Sequence, residues 1–153
     1  MYKREEVKRL KEEFWTTFGQ YMSVVLSADF ERVNWVNYKT GVKHLYFRMD
    51  VTNKSAYISI EITHPDEGMR QLMFAQFVEL KKIVADIVQE EWEWDELYYD
   101  AYDRPIARIG LNIEKVSVFN KDNWPTLISF FKPRMIALDE YWSLVKDKFD
   151  IFK

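Results

Sequence analysis

The stretch Lys43-His44-Leu45-Tyr46-Phe47-Arg48-Met49-Asp50-Val51, then Thr52-Asn53-Lys54, then Ser55-Ala56-Tyr57-Ile58-Ser59-Ile60-Glu61-Ile62-Thr63, decides the fold. In residues 43–51, Leu45, Phe47, Met49 and Val51 alternate with Tyr46, Arg48 and Asp50. In residues 55–63, Ala56, Ile58, Ile60 and Ile62 alternate with Tyr57, Ser59, Glu61 and Thr63. A period of two sends neighbouring side chains to opposite faces, so both segments read as strands with one apolar and one polar face. Thr52-Asn53-Lys54 is turn chemistry and joins them as an antiparallel hairpin. A sheet with one apolar face needs covering on that side only, which predicts helices on one face.

The flanking sequence supplies the helices. Val7, Leu10, Phe14, Phe18 and Met22 are spaced to form one stripe of a helix over 3–22. After the hairpin, His64-Pro65-Asp66-Glu67 ends the strand, and proline with acids suits a first helical turn. Met69, Met73, Phe77, Leu80, Val84 and Ile87 continue that helix over 67–90. Residues 92–99 and 104–111 form a second hairpin about Asp100-Ala101-Tyr102-Asp103. Short strands are expected at 33–38, ahead of the turn Lys39-Thr40-Gly41-Val42, and at 116–119. The last helix follows Asn120-Lys121-Asp122-Asn123-Trp124-Pro125, with Asp122 or Asn123 as cap and a kink at Pro133. Its stripe is Phe131, Met135, Leu138, Trp142, Val145 and Phe149. The expected order is α-βββ-α-βββ-α. That is one α+β domain over 1–153, an antiparallel or mixed sheet packed against three long helices.

Composition narrows function. The chain has 153 residues, no cysteine, 4 Gly, 4 Pro and 17% aromatic residues. Thiolate chemistry and disulfides are excluded, and a reducing, cytoplasmic setting fits. The charged start lacks the apolar region of a signal peptide, and no apolar run is long enough for a membrane span. The net charge of −3 is locally separated. Residues 86–103 carry Asp86, Glu90, Glu91, Glu93, Asp95, Glu96, Asp100 and Asp103 with no cation, whereas 32–54 carry Arg32, Lys39, Lys43, Arg48 and Lys54 against Asp50 alone. Solvated strand rims explain both segments; two complementary surfaces, one meeting a partner, also explain them.

Several constellations have chemical potential. Trp35, Tyr38, Lys39, Lys43, His44, Tyr46 and Arg48 mix cations with rings, the combination that meets phosphates and stacked bases, and Tyr57 and Ser59 would extend it over a polar sheet face. The same rings packed under a helix give a purely structural account. Asp50, Glu61 and His64 form an alternative polar site. The leading α-βββ-α-β order is that of a restriction-endonuclease core, with Asp50 on the second strand and Glu61-Ile62-Thr63 on the third. That site needs lysine where Thr63 stands, so Glu61 is expected to pair with Arg48 instead. His64 beside Asp66 suits a turn or cap. No cofactor or metal site is expected: His44 and His64 make no zinc pattern, and the four glycines build no phosphate loop.

Phe14-Trp15-Thr16-Thr17-Phe18, Asn37-Tyr38-Lys39-Thr40-Gly41, Ile60-Glu61-Ile62-Thr63-His64-Pro65, Phe119-Asn120-Lys121-Asp122-Asn123-Trp124-Pro125 and Lys132-Pro133-Arg134 together resemble the bacterial family known as domain of unknown function 4268. The resemblance spans nearly the whole chain and assigns no functional residue. In longer proteins a similar domain follows an endonuclease-like domain with a restriction-type metal site. The resemblance therefore implies an accessory or interaction module, one that works near nucleic acid in one reading. The residues and the resemblance together point to a non-catalytic cytoplasmic binding module with a protein partner. Nucleic-acid binding through 32–54 is the first alternative, and a degenerate restriction-endonuclease-like fold the second. Oligomeric state and strand order are not legible in the sequence.

Overall fold

A computed structural model describes residues 3–153. The elements are α1 (Arg4–Met22), β1 (Leu45–Val51), β2 (Ser55–Ile62), α2 (Glu67–Glu79), α3 (Lys81–Val88), β3 (Glu93–Tyr99), β4 (Pro105–Glu114) and α4 (Trp124–Val145), ending in a 3-10 segment over Lys146–Phe152. The fold is α+β, and both hairpins belong to one antiparallel sheet of order β1-β2-β4-β3. The register aligns Phe47 with Ile60 and Ile60 with Ile109, so one row of apolar side chains crosses the strands. Leu45, Phe47, Val51, Ala56, Ile58, Ile60 and Ile62 are all buried, as the alternation requires.

Helices α2 and α4 pack on this apolar face. Phe14 and Phe18 of α1, Met73 and Phe77 of α2, Val84 of α3, and Leu127, Phe131, Met135, Leu138 and Trp142 of α4 meet in one core. Rings interlock there: Phe14 sits edge-on to Trp124 at 5.3 Å, and Phe77 lies 4.5 Å from Phe149. Edge-to-face and tilted pairs at such separations add to the area they bury. No helix among the described residues is long and apolar enough to cross a membrane.

The observed order, α-ββ-αα-ββ-α, differs from the expected one in particular places. Residues 33–38 are irregular, not a strand. The Asn34 side chain accepts hydrogen bonds from the N–H groups of Val36 and Asn37, capturing donors that a ladder would use. With that strand gone, the chain also lacks the third strand of the restriction-core order. Residues 116–119 likewise form no strand, although the N–H groups of Val116 and Val118 donate to the carbonyls of Lys54 and Thr52. Lys115, at φ 63°, turns the chain out of β4 just before them. The helix expected over 67–90 breaks at Leu80, where φ is −101° and ψ 11°. Its carbonyl accepts from the hydroxyl of the fully buried Tyr141. Asn123 holds the N-cap position of the last helix, as expected, but its side chain makes no capping bond there. Asn120 accepts from the Asp122 N–H, while Asn123 accepts from the Ser117 N–H. Pro133 lies inside α4, which runs through it as one helix.

Candidate functional site

The second face of the sheet is built by the other half of the alternation. Tyr46, Arg48 and Asp50 project from β1, Tyr57, Ser59 and Glu61 from β2, and Arg108, Gly110 and Asn112 from β4. A bulge in β3 between Asp95 and Tyr98 shifts its register against β4. Together with the turn after β3, these strands enclose a groove of about 750 Å³, lined by His44, Tyr46, Arg48, Tyr57, Arg70, Tyr102 and Arg104 among others.

The groove is organised by guanidinium groups on tyrosine rings. Arg48 lies 4.4 Å from the centre of Tyr46, and Arg104 lies 5.2 Å from Tyr102. Arg108 sits between Tyr57 at 5.2 Å and Tyr98 at 4.9 Å. It is 3% exposed, buried on the polar sheet face beside the groove, and its Nη2 donates to Asn112 at 2.8 Å. Gly110 makes this possible, because a Cβ there would stand 2.6 Å from the Arg108 Cζ. Burial pushes the Tyr57 phenol up to about 12, helped by the negative charges of Glu61 and Asp50.

Each carboxylate lining the groove is already engaged. Glu61 pairs with Arg48 at 3.2 Å, as the sequence suggests, and accepts from Ser59 Oγ at 2.8 Å. Asp50 pairs with Lys11 of α1 at 3.2 Å. Asp100 accepts from the N–H groups of Tyr102 and Arg104, both at 2.9 Å, and from Arg104 Nε. These bonds, the Arg104 N–H foremost, lower the Asp100 pKa against its partial desolvation. They also fix the turn that presents Tyr102 and Arg104. Arg70 is buried and donates to the carbonyls of His64 and Pro65. Among the described residues neither Arg70 nor Arg108 forms an ion pair.

A family model described as Domain of unknown function (DUF4268) matches residues 10–146. The chain belongs to the DUF4268 family. No curated protein and no solved structure matches the chain significantly.

In this DUF4268 chain the candidate residues divide between two places. Tyr46, Arg48, Asp50, Glu61 and His44 all line the groove. His64 stands at its edge, its ring 4.7 Å from that of His44 and its Nδ1 accepting from the Asp66 N–H. The turn role is thus filled by both residues, since Asp66 in turn caps α2 by accepting from the Met69 N–H. Desolvation, with the nearby charges of His64 and Lys43, lowers the His44 pKa. Among the described residues no group of three His, Cys, Asp or Glu side chains is placed to hold a metal.

Trp35 and Tyr38 do not join them. Trp35 is buried, with its indole N–H donating to the Val25 carbonyl. Tyr38 stacks on Phe47 at 5.3 Å, on the core side of the sheet, and its hydroxyl donates to Asp139. The buried Asp139 also accepts from the Ala28 N–H, and Trp142 donates to the Thr40 carbonyl. These bonds stitch the segment before β1 onto α4. Lys39 and Lys43 are exposed beside that segment, and Lys39 lines a separate cavity of about 360 Å³. The proposed basic-aromatic cluster is therefore split by the sheet.

Arg70 and Arg104 of the DUF4268 groove, and Arg108 beside it, escaped the sequence reading. A signal existed for Arg108. It lies two residues before Gly110 on a polar strand face, and a glycine inside a strand marks a close approach.

Proposed function

We propose that this DUF4268 domain is a non-catalytic interaction module of the bacterial cytoplasm, engaging its partner through the uncovered sheet face. The observation that carries the reading is the state of the groove's charged groups. Its carboxylates are held by Lys11, Arg48 and Arg104, so each acid in the lining is committed to a cation. Its tyrosines are kept neutral or capped by guanidinium groups. Rigid rings and oriented donors at the bottom of a concave surface are what recognition requires. The cysteine-free composition accords with a reducing compartment.

The test compares the wild-type chain with a variant carrying Tyr46→Ser and Tyr102→Ser. Both rings are exposed, so the fold and thermal midpoint should persist. The wild type should retain a specific partner from host lysate, and the double variant should lose it. Equal retention by both, or turnover of a small molecule by the wild type, would overturn the reading.

A further inference from the structure

The groove combines three properties that together restrict its occupant. First, it offers planar surfaces. Tyr102 is 80% exposed, and Tyr46 carries a flat guanidinium on its ring at the edge of the groove. Guanidinium planes and tyrosine rings both accept stacked bases. Second, one of its cations, Arg70, has no carboxylate partner, whereas Arg48 and Arg104 are paired with Glu61 and Asp100. Arg70, which lines the groove, donates to the neutral carbonyls of His64 and Pro65. Buried cations without a carboxylate partner favour an anion in the adjoining space. Third, the charge is graded across the sheet. Arg70 and Arg104 gather where β4 begins, with Asp100 bound to Arg104, whereas Glu93 and Asp95 lie along the outer strand β3. A polyanion is thus admitted at one end and repelled from the far edge.

We propose that the groove binds a short single-stranded nucleic-acid segment. Its bases stack on Tyr102 and on the Arg48–Tyr46 pair, and its phosphates lie toward Arg70 and Arg104. An acidic peptide would satisfy the cations but leave the planar surfaces unused. A duplex hides its base faces in its own stack, so it gains nothing from the rings. This inference rests on the sheet face being the binding surface, and it names the occupant.

Fluorescence anisotropy of a short fluorescein-labelled oligothymidylate tests it, with a duplex of equal length and polyglutamate as competitors. The wild type should bind at low salt, with log K falling against log salt by about 0.7 for each phosphate contacted. Tyr102→Ala should weaken binding about five- to tenfold. Arg104→Ala should reduce the salt slope by about 0.7. Lys8→Ala, on the exposed side of α1, should change neither. Absence of binding, displacement by polyglutamate as readily as by unlabelled oligonucleotide, or equal binding of the duplex would overturn the proposal. If the oligonucleotide does not bind while Tyr46 and Tyr102 still govern retention of a protein partner, the occupant is wrong and the surface stands. If it binds but ignores both groove substitutions, the surface itself is wrong.

Discussion

Replacing Gly110 with alanine probes the buried Arg108 stack on the polar sheet face without touching a functional group. The new Cβ would stand 2.6, 2.8 and 2.9 Å from Cζ, Nη2 and Nη1 of Arg108. The guanidinium is the far end of a flexible side chain, and an exposed one would swing away at little cost. This one is wedged between Tyr57 and Tyr98 and bonded to Asn112. Expelling it forfeits two ring contacts and one charged hydrogen bond, together about 2–4 kcal/mol. For a chain of this size the thermal midpoint should fall by about 5–15 °C. Arg108→Ala removes the obstruction. In that background Gly110→Ala should be neutral or stabilise by about 0.5–1 kcal/mol, because alanine loses less backbone entropy in a strand than glycine. The sign of the effect therefore reverses between backgrounds, and a double-mutant cycle from urea unfolding should give a coupling of at least about 2 kcal/mol. A Gly110→Ala variant as stable as wild type, with additive effects in the double variant, would refute the stacked Arg108.

Other consequences concern the core and the ionisable groups. Phe77→Ala and Trp142→Ala should each cost about 3–5 kcal/mol by chemical denaturation, since both side chains are buried among rings; retained stability would contradict that packing. Asp139→Ala strands the Tyr38 hydroxyl and the Ala28 N–H, and should cost about 2–4 kcal/mol in a thermal melt read by tryptophan fluorescence. In alkaline titration Tyr57 should ionise only near about 12, and burial holds Tyr38 and Tyr141 higher still. The folded chain keeps these protons after the unfolded chain has lost them. Their contribution is thus complete below the ordinary tyrosine value of 10.0 and is lost as pH rises through the folded values. Phenolate absorbance checks this, with the Tyr57 component expected near about 12. At the acid end, burial opposes ionisation of Glu90, but hydrogen bonds from Arg134 and Trp92 outweigh it and lower its pKa. Its contribution is present above the ordinary glutamate value of 4.5 and lost as pH falls below it. Arg134→Met should flatten that part of the urea-midpoint profile.

The hairpins were legible because period-two alternation is a local property that burial enforces on every residue. Glu61 could be paired with Arg48 for the same reason, since facing positions on adjacent strands follow from the turn between them. The segment 33–38 misled because Val33, Trp35 and Val36 look strand-like while Asn34 redirects the backbone donors to its own side chain. The break at Leu80 has no proline or glycine to announce it; it is set by packing against Tyr141, which is distant in sequence. The groove was half legible. Tyr46, Arg48, Asp50 and Glu61 share a strand face that the pattern defines. Arg70, Tyr102, Arg104 and Arg108 reach the same place only through the β2–β4 pairing and the turn after β3, and strand order is a tertiary choice. Trp35 and Tyr38 stand close to Tyr46 in sequence, yet they pack on the opposite side of the sheet.

The central claim is that the uncovered sheet face is the binding surface. Amide-resolved NMR during titration with the oligothymidylate tests it most directly. The account predicts that the perturbed amides map to β1, β2, β4, the start of α2 around Arg70 and the turn at Tyr102 and Arg104, with α3 unmoved. Perturbations gathered instead on α3 and α4, or on the exposed segment around Lys39 and Lys43, would contradict it.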